Sequence, residues 1–252
     1  MNENIEKAIS LYSNTEKSIK EILSETKISK SRFYRELSYR GVETRKPYNR
    51  PRKYYFNINV FKNESHALYY WLGFISADGC IIKNSLVIEL KASDKEHLIN
   101  FRRFINGEMP IISRINNLGV EVCRISVNSA ELKDILKNFG IVPRKTKYIN
   151  IPEDIKDDYL YDWIRGYFDG DGCISLSNKR TSITITSGSK SLIGNLQKIL
   201  GGVIINYNTY EVLSFGKKEG RKILYLLYST SNYKTRLKRK FERFLTLIQE
   251  IE

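Results

Sequence analysis

The chain has 252 residues, enough for one large domain or two small ones with a sizeable core, and carries a formal net charge of +14. At 41% hydrophobic and 12% aromatic it should be globular, which excludes a disordered tail or coat. The positive excess favours a polyanionic partner, nucleic acid ahead of an anionic membrane surface, and the longest apolar run, Leu68 to Ala77, is far too short to span a bilayer.

The N-terminal stretch MNENIEKAIS has neither a basic nor an apolar leader region, so no secretion signal is expected. A cytoplasmic location (a bacterial or phage-infected cell) or an organellar one follows. Cys80, Cys123 and Cys173 show no C-x-x-C pairing, which fits a reducing compartment without structural disulfides or zinc. His66 and His97 are the only histidines, which argues against hydrolases that need clustered imidazoles.

Residues 1–46 read as helical. Ile5, Ile9 and Tyr12 fall at helical spacing, as do Ile19, Ile22 and Leu23. Two short helices then meet at a tight turn, with Ser29 as N-cap of the second and Gly41 as its stop. The second carries Lys30, Arg32 and Arg35, the pattern of a helix-turn-helix DNA reader or of a small bundle with a solvated basic face. Residues 47–60 form a linker: Pro47 and Pro51 forbid a continuous helix, and Arg50, Arg52 and Lys53 suit a phosphate backbone or a minor groove.

From there the chain repeats itself, over 61–155 and again over 156–252. Each half reads helix, hairpin, helix, hairpin, helix, and each closes on a basic pair, Arg144-Lys145 and Arg239-Lys240. Both first helices end in the same phrase, WLGFISADGC and IRGYFDGDGC. Gly73 and Ala77 share one helical face, as do Gly166 and Gly170, so the two helices can pack backbone to backbone along a pseudo-twofold axis. That packing would bring Asp78 and Asp171 together at two helix C-termini.

Carboxylates there oppose the helix dipole by about 0.3–1 kcal/mol each and repel one another. A divalent cation reverses both effects, and paired acids holding metal support phosphodiester hydrolysis. An EF-hand calcium loop is excluded, because counting from Asp169 puts Cys173 at position 5 and Arg180 at position 12. Asp169 also reads as an Asp-Gly turn residue.

WLGFISADG and IRGYFDGDG resemble the two motifs of the LAGLIDADG homing endonucleases in their single-chain form, over about residues 66–245. The resemblance implies an α+β fold: two pseudo-twofold-related αββαββα repeats, a saddle-shaped antiparallel sheet seated on the DNA major groove, and here an added N-terminal helical domain. It implies metal binding by the last acid of each motif, Asp78 and Asp171, with Gly79 and Gly172 at the same positions. It implies two or three Mg²⁺ ions at the repeat interface, a double-stranded DNA partner and a monomer making a double-strand break in a long site. It also implies a basic residue at each metal centre, for which Lys145 and Lys240 are the candidates and Lys147 and Lys238 the competitors. One departure is Ser76, where the family often has an acid that the second copy keeps as Asp169.

A sheet lying on DNA would present alternate strand residues to it. Ile183 and Ile185 would point to the core, and Ser182, Thr184 and Thr186 to DNA, with Asn178, Lys179 and Arg180 in the turn. Lys83, Asn84, Lys91, Arg114, Asn116 and Arg124 are the first-half counterparts, each suited to base edges or to phosphates. Two other functions fit the same scaffold: a DNA-binding regulator without nuclease activity, and an RNA-splicing maturase. An intein is not expected, since the sequence runs from Met1 to Glu252 without flanking splicing residues.

Overall fold

A computed structural model of the chain describes residues 3–45, 53–176 and 181–249. The chain divides into two units, Met1–Lys53 with Ser129–Glu131, and Tyr54–Asn128 with Leu132–Glu252.

The smaller unit holds three helices: α1 (Glu3–Asn14), α2 (Ile19–Thr26) and α3 (Lys30–Tyr39). Ser18 and Glu21 form a reciprocal capping box that starts α2, and the Ser29 hydroxyl accepts from the Arg32 N–H to start α3. Gly41, at φ +64°, takes the left-handed position just past α3, where its N–H bonds Ser38 and that of Val42 bonds Leu37. Ala8, Tyr12, Ile22, Phe33 and Leu37 are the core, with the Tyr12 and Phe33 rings edge to face at 5.4 Å. Arg45 closes the unit by donating to the carbonyls of Tyr12, Thr15 and Lys17. On α3, Lys30 and Arg35 are exposed and Arg32 is half-buried.

The larger unit contains the duplication. The first copy runs α4 (His66–Asp78), β1 (Gly79–Ile82), β2 (Ser85–Lys91), α5 (Lys95–Phe104), β3 (Ile112–Ile115), β4 (Glu121–Asn128) and α6 (Ala130–Asn138). The second runs α7 (Asp157–Asp171), β5 (Gly172–Ser175), β6 (Ser182–Ser187), α8 (Lys190–Leu200), β7 (Val203–Asn206), β8 (Glu211–Phe215) and α9 (Lys217–Tyr228), followed by α10 (Lys238–Gln249). The two sheets have the same antiparallel topology, β1-β2-β4-β3 and β5-β6-β8-β7. The αββαββα repeat is therefore present twice, and α10 is an addition to the second copy. Within the stretch expected to be linker, Phe56 is buried in this unit's core and the Asn57 N–H bonds the Ile105 carbonyl.

Each sheet buries one face. In the first, Leu86, Ile88 and Leu90 stand opposite Val127, Ile125 and Cys123. In the second, Ile183 and Ile185 stand opposite Phe215 and Leu213, all four buried. The two motif helices lie between these layers. α4 is buried from Leu68 to Ser76 without a break and α7 from Asp162 to Asp169, the all-round burial of helices at the centre of a fold. Among the described residues, no helix is long and apolar enough to cross a membrane.

Candidate active site

The site is built by the contact between α4 and α7, and its small residues decide that contact. A Cβ on Gly73 would lie 2.0 Å from the Trp163 carbonyl oxygen, and one on Gly166 would lie 1.9 Å from that of Tyr70. One turn on, a Cβ on Gly170 would lie 2.3 Å from that of Ala77 and 3.4 Å from an Asp78 carboxylate oxygen. The expected small face is thus a backbone-to-backbone seam, and it delivers Asp78 and Asp171 to one place.

Asp78 is half-buried and Asp171 is exposed at the surface, yet the protein around each carboxyl displaces enough water to raise both above the usual range. Asp78 rises to about 6, first through burial and then through the charge of Asp171, against the lysines and Arg239. Asp171 is also raised by burial, but the Tyr167 hydroxyl and the two lysines hold it down. The two acids are therefore not equivalent. Tyr167 lies one turn before Asp171 on α7, where its oxygen also accepts from the Ser187 hydroxyl 3.0 Å away, whereas Phe74 takes the matching place before Asp78.

Lys145 and Lys240 sit at matching places under the ends of these helices, and both are buried. Lys145 Nζ donates to the carbonyls of Gly79 at 2.5 Å and Ala77 at 3.4 Å. Lys240 Nζ donates to those of Phe168 at 2.6 Å, Asp169 at 2.7 Å and Gly170 at 3.2 Å. Burial lowers both ammonium groups, Lys240 to about 8, while the nearby carboxylates oppose that shift. Two buried cations thus offset the dipole penalty at the helix ends. Lys147 and Lys238 are exposed. Gly79 and Gly172 open strands β1 and β5, paired with Ile88 and Ile185.

Ser76 and Asp169, at matching positions in the two motifs, have opposite surroundings. The buried Ser76 hydroxyl finds no hydrogen-bond partner among the described residues. Asp169 is wholly buried inside α7, so it is not a turn residue. Its carboxylate accepts from the hydroxyls of Tyr70 and Tyr228 and from the Leu237 N–H. Because Tyr70 gives its one proton to Asp169, its oxygen accepts from His97 Nε2, 3.1 Å away. Burial holds His97 neutral, at about 3. His66 instead pairs with Asp162, which in turn meets Arg165.

Tyr70, Tyr167 and Tyr228 were not anticipated as site residues. The signal for Tyr167 lay in the motifs themselves, in GYFDGD against GFISAD. Tyr228 comes from a distant helix, and nothing local in the sequence marks it.

Hydrolysis at a metal centre needs hard oxygen donors, and the half-buried Asp78 and the exposed Asp171 are such donors. Among the described residues, no group of three or more His, Cys, Asp or Glu side chains could hold an ion. Asp78 and Asp171 are the two carboxylates that meet at the ends of α4 and α7.

On the second sheet β6 alternates as expected, whereas on the first β3 is exposed along its whole length and Val87 and Val122 are buried on the outer face. On the first, Lys91 and Arg124 lie outward, Glu89 stands opposite Arg124, and Arg114 forms a forked pair with Glu89. Asn116 uses its carbonyl oxygen to fix the β3–β4 turn by accepting from the N–H groups of Leu118 and Val120. Lys83 (φ +57°) and Asn84 form the exposed β1–β2 turn. On the second sheet, Ser182, Thr184 and Thr186 are half-buried on the face opposite Ile183 and Ile185. Lys53 is exposed. Arg50, Arg52, Asn178, Lys179 and Arg180 lie outside the described residues.

Comparison with known proteins agrees with this architecture. Residues 158–242 match the LAGLIDADG-like domain family. The chain is 27% identical over 185 residues to the probable translation initiation factor IF-2 of Methanocaldococcus jannaschii, an alignment covering 68% of this chain but only 14% of that protein. Its fold is similar to that of the meganuclease I-SmaMI bound to uncleaved DNA in the presence of calcium ions. That match has a TM-score of 0.51 and 13% identity, and covers 75% of this chain and 92% of the other. It is also similar to full-length DUF199/WhiA from Thermatoga maritima, with a TM-score of 0.50 and 16% identity, covering 77% and 64%. With the motif and the sheet topology both present twice, the chain has the two-repeat LAGLIDADG fold, and residues 158–242 of its second repeat match that family's model.

Proposed function

We propose that the chain is a site-specific, metal-dependent endonuclease that makes a double-strand break in DNA. The observation that carries this reading is the pair Asp78 and Asp171. Two carboxylates brought together at helix ends, Asp78 half-buried and Asp171 open to the surface, repel one another and oppose the helix dipoles, and a purely structural protein gains nothing from them. Asp78 and Asp171 would hold Mg²⁺, which when bound supplies an activated water and stabilises the leaving oxygen. The side chains of the seam hold the two acids in register. Tyr167 orients Asp171, and the buried lysines balance the charge. One chain supplies both acids, so a monomer is sufficient.

The outward residues of both sheets, with Lys83 and Asn84, would lie in the major groove, and the net charge of +14 would give binding a strong salt dependence. Lys30, Arg32 and Arg35 on α3 form a second contact region, in the manner of a helix-turn-helix reader.

A DNA-binding regulator on the same scaffold is the second reading, favoured by Ser76 in place of an acid and by the likeness to WhiA. Strand cleavage of bound DNA by the wild type and by Asp78→Asn separates the two. The endonuclease reading expects binding by both and cleavage by the wild type alone. The regulator reading expects binding by both and cleavage by neither.

A further inference from the structure

An ammonium group has three N–H donors and no acceptor. Lys240 directs all three at the carbonyls of Phe168, Asp169 and Gly170 in the last turn of α7; the Phe168 carbonyl also accepts the Gly172 N–H, whereas those of Asp169 and Gly170 lie beyond the helix's own bonding. Lys145 reaches only Gly79 firmly, with Ala77 at the limit of bonding distance. The two lysines occupy matching places in the repeats, yet their donors are committed differently. The backbones that carry them differ too. Lys240 lies in the first turn of a twelve-residue helix, whereas Lys145 opens a three-residue 3₁₀ turn.

We infer that the two lysines have divided a role the duplication would have made equal: Lys240 is a positioning residue that fixes the C-terminus of α7, and Lys145 keeps an N–H free for the scissile phosphate or the attacking water. The inference rests on the endonuclease reading for Lys145, and on the fold alone for Lys240. The three-carbonyl cradle requires the charged form of Lys240, because a neutral amine has only two N–H groups. A cation on the last carbonyls of a helix also satisfies its dipole. The acid next in the chain is Asp171, so loosening this cradle displaces a metal ligand without removing it. Both lysines have the charges of Asp78 and Asp171 within reach, so what separates them is the N–H that Lys145 leaves uncommitted where charge develops during cleavage.

The test compares Lys240→Met with Lys145→Met in the full chain by three readouts. These are thermal unfolding without metal, the Mg²⁺ concentration giving half-maximal cleavage, and the single-turnover rate of each strand at saturating Mg²⁺. Lys240→Met should lower Tm by about 5 °C or more. It should also raise the Mg²⁺ requirement, and slow both strands by a similar factor of about threefold or less. Lys145→Met, which strands one close carbonyl rather than three, should lower Tm clearly less than Lys240→Met, and slow one strand on the order of tenfold more than the other, so that plasmid accumulates as nicked circles.

If Lys240→Met does not fold, Lys240→Gln, which keeps two N–H donors, should show the same Mg²⁺ shift with a smaller loss of Tm. A Lys240 variant with unchanged Tm and Mg²⁺ requirement but a reduced saturated rate overturns the division. So does a Lys145 variant that loses as much Tm as Lys240→Met and treats both strands alike. A wild type that binds DNA and never cuts it refutes the endonuclease reading instead, and the Tm contrast then still decides the capping role of Lys240.

Discussion

Replacing Gly73 by alanine puts a methyl group 2.0 Å from the Trp163 carbonyl oxygen, 2.8 Å from its carbon and 2.9 Å from the Tyr167 nitrogen. Ordinary contact begins at 3.4 Å, so α4 and α7 must part by about 1.4 Å at this point. The obstacle is backbone, and no side-chain rotation relieves it. Overpacking of a core costs about 1–3 kcal/mol where side chains can adjust, and more where they cannot. Alanine returns up to about 1 kcal/mol of helix propensity. We expect a net loss of at least about 3 kcal/mol, or a Tm lower by about 6–12 °C for a chain of this size. Gly194 is the control. It lies within α8 with nothing within 4 Å of its Cβ position, so Gly194→Ala should stabilise by about 0.5–1 kcal/mol. Thermal melts of the two variants beside the wild type are the assay. A Gly73→Ala chain that melts at or above the wild type, as Gly194→Ala should, would refute the backbone seam.

Three further outcomes are expected. Asp78→Asn should abolish double-strand cleavage while DNA is still bound. Without metal it should raise Tm at neutral pH, because ionising an acid held near pKa 6 against 3.8 costs the folded chain about 3 kcal/mol. The same shift fixes the pH dependence. With its folded pKa raised, Asp78 contributes most stability below pH 3.8 and loses it as pH climbs through about 6, and Asp171 shifts in the same direction. Metal-free melts between about pH 4 and 7 should therefore fall with rising pH, and added Mg²⁺ should recover Tm at pH 7. Removing residues 1–46 should leave a chain that melts cooperatively and binds DNA more weakly, with a shallower salt dependence, as read by titration at two salt concentrations.

The duplicated phrase made the centre of the fold legible before any coordinates. Gly73, Ala77, Gly166 and Gly170 at four-residue spacing announced a close helix pair, and Asp78 and Asp171 followed from it. The alternation in SITITS likewise gave the buried face of β6. What the sequence could not show was where side chains from distant segments arrive. Tyr228 reaches Asp169 across 59 residues and Lys240 reaches it across 71, and no local pattern encodes such meetings. The direction of each ammonium group was equally hidden. Spacing marked Lys145 and Lys240 as equivalent, and only their carbonyl partners distinguish them. On the first sheet, composition alone suggested that Arg114 and Asn116 were available to bases, yet Glu89 engages the one and a turn engages the other.

The most direct test of the central claim is cleavage of a randomised plasmid library by the full chain, with and without Mg²⁺. Linear molecules that share one long sequence at their ends, formed only with Mg²⁺ and lost in Asp78→Asn and Asp171→Asn, are the predicted result. Plasmid that is bound selectively but stays circular at every Mg²⁺ concentration would contradict it, and would make the chain a DNA-binding protein on a nuclease scaffold.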